Sequence, residues 1–194
     1  TLTDATNPAL SISDTFALTT TLPNLTLASG VKFNIKDTAS TIIAHARDDI
    51  GDVLKNAGTI STTDKTTPNL TLADAITLKG ITNLDKAAKY NVTDGGNVIA
   101  TQAAITGETI LSGAASVSIN KNFTINDAKA VTGIKTLAKG TVYSITDTAD
   151  AILTQSAMSG DKILAGANTV TVVDTSANII AKLDQLETLA KAGK

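Results

Sequence analysis

The sequence predicts an α/β repeat fold, a solenoid of short parallel β-strands with intervening short helices and a period of about 53 residues. Three observations predict it. A short apolar-x-apolar strand, one further residue and an aspartate recur as LSISD, FNIKD, LTLAD, YNVTD, FTIND, YSITD and VTVVD, ending at Asp14, Asp37, Asp74, Asp94, Asp127, Asp147 and Asp174. The spacing repeats as well: Asp74 and Asp127 are 53 residues apart, as are Asp94 and Asp147, and the step Gly107, Glu108, Ile110 returns at the same interval as Gly160, Asp161, Ile163. Finally, strands about 20 residues apart with a helical pattern between them leave room for a parallel crossover, which needs a dozen or more.

Taken in order, the elements form one continuous repeat domain over residues 1–194: an irregular unit at 10–67, regular units at 70–122 and 123–175, and a terminal helix at 175–194. In the irregular unit, GDVLKNAGTIS from Gly51 answers GETILSGAASVSI from Gly107. The stretch LASGVKFNIKDTA matches either YSITDTA or LAGANTVTVVDTS, so the long unit is itself built from a shorter strand-Asp-helix element. The strands, three to five residues long, alternate β-branched or aromatic residues with Asn, Ser or Thr, which suits a half-buried pleated surface. Helical patterns follow Asp37 (Ile42, Ile43, Ala46, Ile50, Val53, Leu54) and Asp147 (Ile152, Leu153). The most regular follows Asp174, with Ala177, Ile180, Leu183, Leu186 and Ala190 on one side and Lys182, Asp184, Gln185 and Glu187 between them. Such elements stack at about 4.8 Å per rung, each strand pairing with its copy in the next. Tandem β-sandwich domains are the alternative, but they favour closely spaced hairpin turns, and the sequence has few.

Composition narrows the function. The formal net charge is -2, which offers no basic face to nucleic acid or an anionic membrane. No stretch reaches the roughly 18 apolar residues of a transmembrane helix, and none resembles a signal peptide. The chain lacks Cys, so disulfides and thiolate metal sites are excluded. With 33 Thr, no Trp and five Phe or Tyr, the core must come from Leu, Ile, Val and Ala, which pack in narrow, regular layers. The chain starts at Thr1 and stops at Lys194 just after a complete helical pattern, as a segment of a longer protein would.

Few residues suggest chemistry. The recurrent aspartates stand where a carboxylate could accept the N–H of the second or third residue of a following helix. Stacked in a row they could instead bind Ca²⁺, which takes six to eight oxygens, so one Asp per rung is too few alone. The nonapeptide of calcium-binding repeats is reduced to Asp94-Gly95-Gly96-Asn97, read as a turn that permits positive φ. His45 is the sole histidine, near Arg47, Asp48 and Asp49, and reads as an ordinary surface residue. Asp48, Asp49 and Asp52 form the densest acidic cluster, but neighbours on a helix point apart, which makes it a solvated face. The glycosylation patterns at Asn24, Asn69, Asn91 and Asn122 arise readily in so Thr-rich a chain. Carbohydrate binding would call on Phe16, Phe33, Tyr90, Phe123 and Tyr143, most of which occupy strand positions suited to core packing. No catalytic, cofactor-binding or metal residues are assigned, and no enzyme activity is expected.

The segments YSITDTADAIL, VTVVDTSANII and LDQLETLAKAGK resemble the repeat region of very large secreted bacterial surface proteins, type I secreted adhesins of the RTX class and S-layer-like coat proteins. The likeness is strongest from Tyr143 onward. It implies a secreted or cell-surface structural module, a stalk or lattice element, whose partners are neighbouring repeats or copies of itself. A carbohydrate- or host-protein-binding adhesin module is the alternative. The resemblance transfers no functional residues, and the family's calcium nonapeptides are missing here.

Overall fold

A computed structural model describes residues 8–21, 32–48, 52–120, 122–138 and 141–193. It is an α/β fold of small parallel sheets and helices, with no closed barrel among the described residues. The chain divides into two compact units, Thr1–Tyr90 and Asn91–Lys194.

In the first unit, β1 (Ala9–Leu10) leads through Ser11 into α1 (Ile12–Thr21), and β2 (Asn34–Asp37) through Thr38 into α2 (Ala39–Arg47). Then come α3 (Asp52–Asn56), β3 (Ile60–Thr62), the two-residue β4 (Asn69–Leu70) and α4 (Leu72–Lys79). Strands β1, β2 and β3 pair in parallel and in even steps, Leu10 beside Ile35 and Ile35 beside Ile60. The Asn34 side chain bridges the same interval, accepting from the Thr59 N–H at 2.9 Å. Leu84 extends the row as a single parallel bridge to Ile60. The apolar central residues fall on one line through the sheet, and Ile35, Ile42, Ile60 and Leu78 are fully buried.

The second unit is likewise made of short parallel strands and helices. It contains β5 (Asn91–Asp94), α5 (Gly96–Ala103), β6 (Ser116–Ile119), α6 (Ile125–Val131), β7 (Tyr143–Asp147), α7 (Ala149–Ser156), α8 (Ile163–Gly166) and β8 (Ala167–Val172). Strand β5 pairs with β6 in parallel, Val92 beside Val117, at the interval that separates β2 from β3. Here the Ser116 hydroxyl spans it, donating to the Asn91 side chain at 2.8 Å. Strand β7 pairs with β8, Ile145 beside Val170, and Phe123 bridges to Ile145 from the other side. Val92, Ile99, Val117, Ile145 and Ile152 form its core.

The terminal helix expected at 175–194 is two helices, α9 (Ser176–Ala181) and α10 (Leu183–Lys191). Lys182 leaves the helical region at φ -118°, ψ 10°, and its ammonium lies 3.1 Å from Asp150. Neither helix buries a residue completely.

Threonine sets the helix starts. Thr38, Thr71, Thr124, Thr148 and Thr175 are all N-caps in extended conformation, each accepting a hydrogen bond from the N–H three residues on. A threonine-rich sequence is thus one with many short, sharply started helices, each cap stabilising its helix by about 1 kcal/mol.

Candidate functional site

The aspartates are the most repeated ionisable feature, and they divide into two kinds. Asp14, Asp74 and Asp127 stand third inside a helix, each behind a hydroxyl N-cap. The Thr124 hydroxyl accepts from the Asp127 N–H at 3.2 Å while the Asp127 carboxylate accepts from the Thr124 N–H at 3.1 Å, a reciprocal capping box. Ser11 and Asp14 are arranged alike, at 3.0 and 3.3 Å. The Ser11 hydroxyl, 2.6 Å away, and the Ser11 N–H hold the Asp14 carboxyl below its usual range. Thr71 and Asp74 share two such bonds, and Asp74 also meets Arg47 in an ion pair at 2.7 Å.

The other kind stands at the end of a strand or, for Asp174, two residues beyond it, and its role departs from the expected cap. One oxygen of Asp37, Asp94, Asp147 and Asp174 accepts from the N–H of the very next residue at 2.8 Å, that residue being the N-cap itself. The second oxygen of Asp37, Asp147 and Asp174 reaches backward along the sequence. Asp37 takes the N–H of Ile12 at 3.1 Å, Asp147 that of Ile125 at 3.0 Å and Asp174 that of Ala149 at 3.1 Å. Asp64, just beyond β3, takes the N–H of Ala39 at 2.9 Å. In every case the donor is the first residue of the helix 22 to 25 positions upstream. A helix begins with N–H groups that its own backbone cannot satisfy. Here a threonine or, at α1, Ser11 satisfies one of them and the aspartate of the following strand another. The strand-end aspartate is therefore a latch between successive elements, not a cap on its own helix.

A second acidic feature recurs at the Gly-acid step. Gly107 and Gly160 have φ of 75° and 71°, the left-handed region that glycine enters without strain. The following acids then grip N–H groups ahead of them, Glu108 those of Leu111 and Ser112 at 2.6 and 3.0 Å, and Asp161 that of Ile163 at 2.9 Å. Burial works against the Glu108 carboxylate, but these N–H groups and the Gln102 amide outweigh it and leave the carboxyl below its usual range. Gln102 and Gln155 donate to Glu108 and Asp161 at 3.3 and 2.8 Å. The two glutamines were legible in the sequence as a polar pair 53 residues apart inside apolar helical stretches.

Tyr90 is fully buried and Phe33 and Phe123 nearly so, while Tyr143 is half-buried and stacks on Phe123 with ring centroids 5.0 Å apart. The Tyr143 hydroxyl donates to the Ile163 carbonyl at 2.7 Å, and burial together with the Asp161 charge pushes its pKa up. Only Phe16 among the five is exposed, at 43%.

Asp94-Gly95-Gly96-Asn97 is not a positive-φ turn. Gly95 is the N-cap of α5 in extended conformation (φ -66°, ψ 148°) and Gly96 is the first helical residue. Glycine is needed at 96 for space, because a Cβ there would overlap the Phe123 ring.

His45 is half-buried, its Nδ1 3.3 Å from the Thr41 carbonyl oxygen, and lines a cavity of about 320 Å³ with Leu54, Ile76 and Ile81. Asp48 is the C-cap of α2, whereas Asp49 and the side chain of Asp52 lie outside the described residues. So does the Asn24 tripeptide. The central residues of the other three, Leu70, Val92 and Phe123, are buried. A second cavity, about 300 Å³, is bordered by Asp64, Lys65, Asp85 and Lys89. Among the described residues no group of three or more His, Asp or Glu stands close enough to hold a metal ion, and no helix is long and apolar enough to cross a membrane. No known protein family, curated protein or solved structure matches the chain.

Proposed function

We propose that this chain is a structural repeat module of an exported bacterial cell-surface protein, a stalk or lattice element built as an α/β solenoid. The observation that carries the proposal is the latch. Four carboxylates, those of Asp37, Asp64, Asp147 and Asp174, hold the start of one helix to the region where the next strand ends, so recurrent charged groups are used to join elements. An arrangement that joins each element to the next can be lengthened without a new design, which suits a spacer.

Further support comes from recurrence at the long period. Helices α4 and α6 begin at Leu72 and Ile125, α5 and α7 at Gly96 and Ala149, and the positive-φ glycines are Gly107 and Gly160. Burial of Tyr90, Phe33 and Phe123 favours the structural module over the carbohydrate- or host-protein-binding alternative, which needs an exposed aromatic platform.

Duplicating residues 70–122 in frame tests the proposal. A solenoid gains one unit: a single cooperative melt at an equal or higher temperature, and a maximum dimension by X-ray scattering longer by roughly 10–15 Å, from two or three strand spacings. Aggregation, or an unchanged maximum dimension, would contradict it. Antibody against the chain should label intact, unpermeabilised cells of the source organism, and labelling only after permeabilisation would refute the surface location.

A further inference from the structure

In the second unit the chain does not finish one row of strands before it begins the next. Strands β5 and β6 pair first, and Phe123 then opens a second row by bridging to Ile145 of β7. Between Phe123 and β7 the chain returns to the first row. Val117 of β6 donates its N–H to the Thr136 carbonyl at 2.8 Å and accepts from the Ala138 N–H at 2.7 Å, with Leu137 as the bridging residue. The second row is completed afterwards, with β7 beside β8. Consecutive elements are usually neighbours in space, so this alternation is uncommon.

Helix α6 is the strut between the two rows. It starts just after Phe123, the N–H of its first residue, Ile125, is bonded to Asp147 at the end of β7, and its far end leads to Leu137 on the first row. Ile125, Ala128 and Val131 are buried, and α6 packs on α5, which follows β5, and on α7 and α8, which lie between β7 and β8 in sequence. Phe123 itself is packed against Gly96 at the start of α5. The Thr136 hydroxyl adds a third bond to the return segment, donating to the Leu111 carbonyl at 2.8 Å.

The first unit makes a similar excursion. After β3 the chain forms β4 and α4 and then lays Leu84 on Ile60, with main-chain bonds of 2.9 and 2.7 Å at Asn83 and Asp85. Here the Asn83 amide anchors the return, donating to the Leu54 and Ala57 carbonyls at 2.8 Å. Leu84 and Leu137 are 53 residues apart, the long interval of the sequence.

We propose that α6 and the bridges at its two ends form a mechanical clasp, which makes residues 91–172 yield to tension as one body. In a plain solenoid each repeat touches its neighbours alone, so a pulling force can strip it repeat by repeat. Here the second row cannot come away whole without tearing residues 136–138 from Val117, because they lie in sequence between Phe123 and β7. The first row cannot come away whole without drawing Phe123 off Ile145, because Phe123 lies between β6 and Leu137. Partial extension under load is thereby suppressed, which suits a connector under tension. The inference rests on the stalk reading for its use, but its test reads the coupling of the two rows, so surface labelling and clasp can fail separately.

The chain has no Cys, so Lys89→Cys and Ser176→Cys place unique handles at two exposed positions that span the unit. The full chain is pulled between them in optical tweezers. The unit should release in a single rip of about 25–30 nm, the extended length of the span less its folded width. Ala138→Pro removes the N–H that meets Val117 and should divide the rip into two, each roughly half as long. Val173→Pro removes a ladder N–H of the same kind outside the clasp, the one bonded to the Asp147 carbonyl, and should leave one rip at lower force. Two rips without either proline, one rip with Ala138→Pro, or division by Val173→Pro overturns the proposal. If Ala138→Pro fails to fold, native-state exchange on the unmodified chain decides. The N–H groups of Ala138 and Thr146, one on each row, should then exchange through a common opening with equal dependence on urea, and unequal dependence overturns it.

Discussion

The segments Asp37–Ile43 and Asp174–Ile180 read almost alike, Asp-Thr-Ala-Ser-Thr-Ile-Ile against Asp-Thr-Ser-Ala-Asn-Ile-Ile, yet they end in different surroundings. Asp37 ends β2 and Asp174 stands two residues beyond β8, both aspartates hold the N–H of their own threonine at 2.8 Å, and both threonines cap a helix. In the first, Ala39 and Ile42 are 0% exposed and Ile43 is buried; in the second, Ser176 and Ile180 are exposed and Ile179 is half-buried. The difference lies in the next strand. Beyond α2 comes β3, with Asp64 bonded to the Ala39 N–H. No strand succeeds α9 among the described residues. Local sequence therefore makes the strand, the cap and the helix, and the succeeding element makes the core.

The largest expected contrast is in the paired isoleucines. Ile43→Ala should cost about 2–5 kcal/mol in urea unfolding, as a buried truncation does. Ile180→Ala should stay within about 0.5 kcal/mol, as exposed substitutions do. Equal losses would mean that the two helices are packed alike.

The latch comes next. Asp147→Ala removes the acceptor for the N–H groups of Thr148 and Ile125 and should destabilise by about 1–3 kcal/mol. Asp184→Ala in the exposed first turn of α10 should cost only a few tenths, the value of a charge near a helix start. Similar costs for the two would remove the distinction between a latch and an ordinary surface carboxylate.

A smaller effect concerns acid. The Asn178 side-chain amide, followed by the N–H groups of Thr175 and Ala149, holds the Asp174 carboxyl below its usual range. A carboxylate depressed in the folded state contributes stability above its unfolded pKa, about 3.9, and loses it as pH falls through the lower folded value. Urea midpoints measured downward from pH 5 should therefore fall less steeply for Asp174→Asn than for the native chain. The reverse order would contradict the assignment. Smallest of all is calcium: millimolar Ca²⁺ should leave the melting temperature unchanged, whereas a rise of several degrees would show binding to the folded chain.

Much of this architecture was legible in the sequence. Short strands, crossover helices and helix starts after Asp-Thr follow from alternation, spacing and capping preference. The division of the aspartates is hidden in the motif, because apolar-x-apolar-x-Asp describes both a strand-end residue and the third residue of a capping box. A hydroxyl three residues ahead does not separate them either: Ser11, Thr71 and Thr124 so precede the capping-box acids, but Ser144 and Thr171 stand equally before Asp147 and Asp174. The latch itself was out of reach, since its donor lies 22 to 25 residues away and only the stacking of elements brings it near. Gly96 is a similar case, a turn by its glycine neighbour but required by the Phe123 ring packed against it.

Amide exchange at three equivalent helix starts tests the latch most directly. The N–H groups of Ala39 and Ala149 are bonded to Asp64 and Asp174, whereas Ser176 begins the helix that no described strand succeeds. Ala39 and Ala149 should exchange slowly, and Ser176 at least about tenfold faster. Protection at Ser176 equal to that at Ala149 would contradict the claim that each helix start is secured by the strand that comes after it.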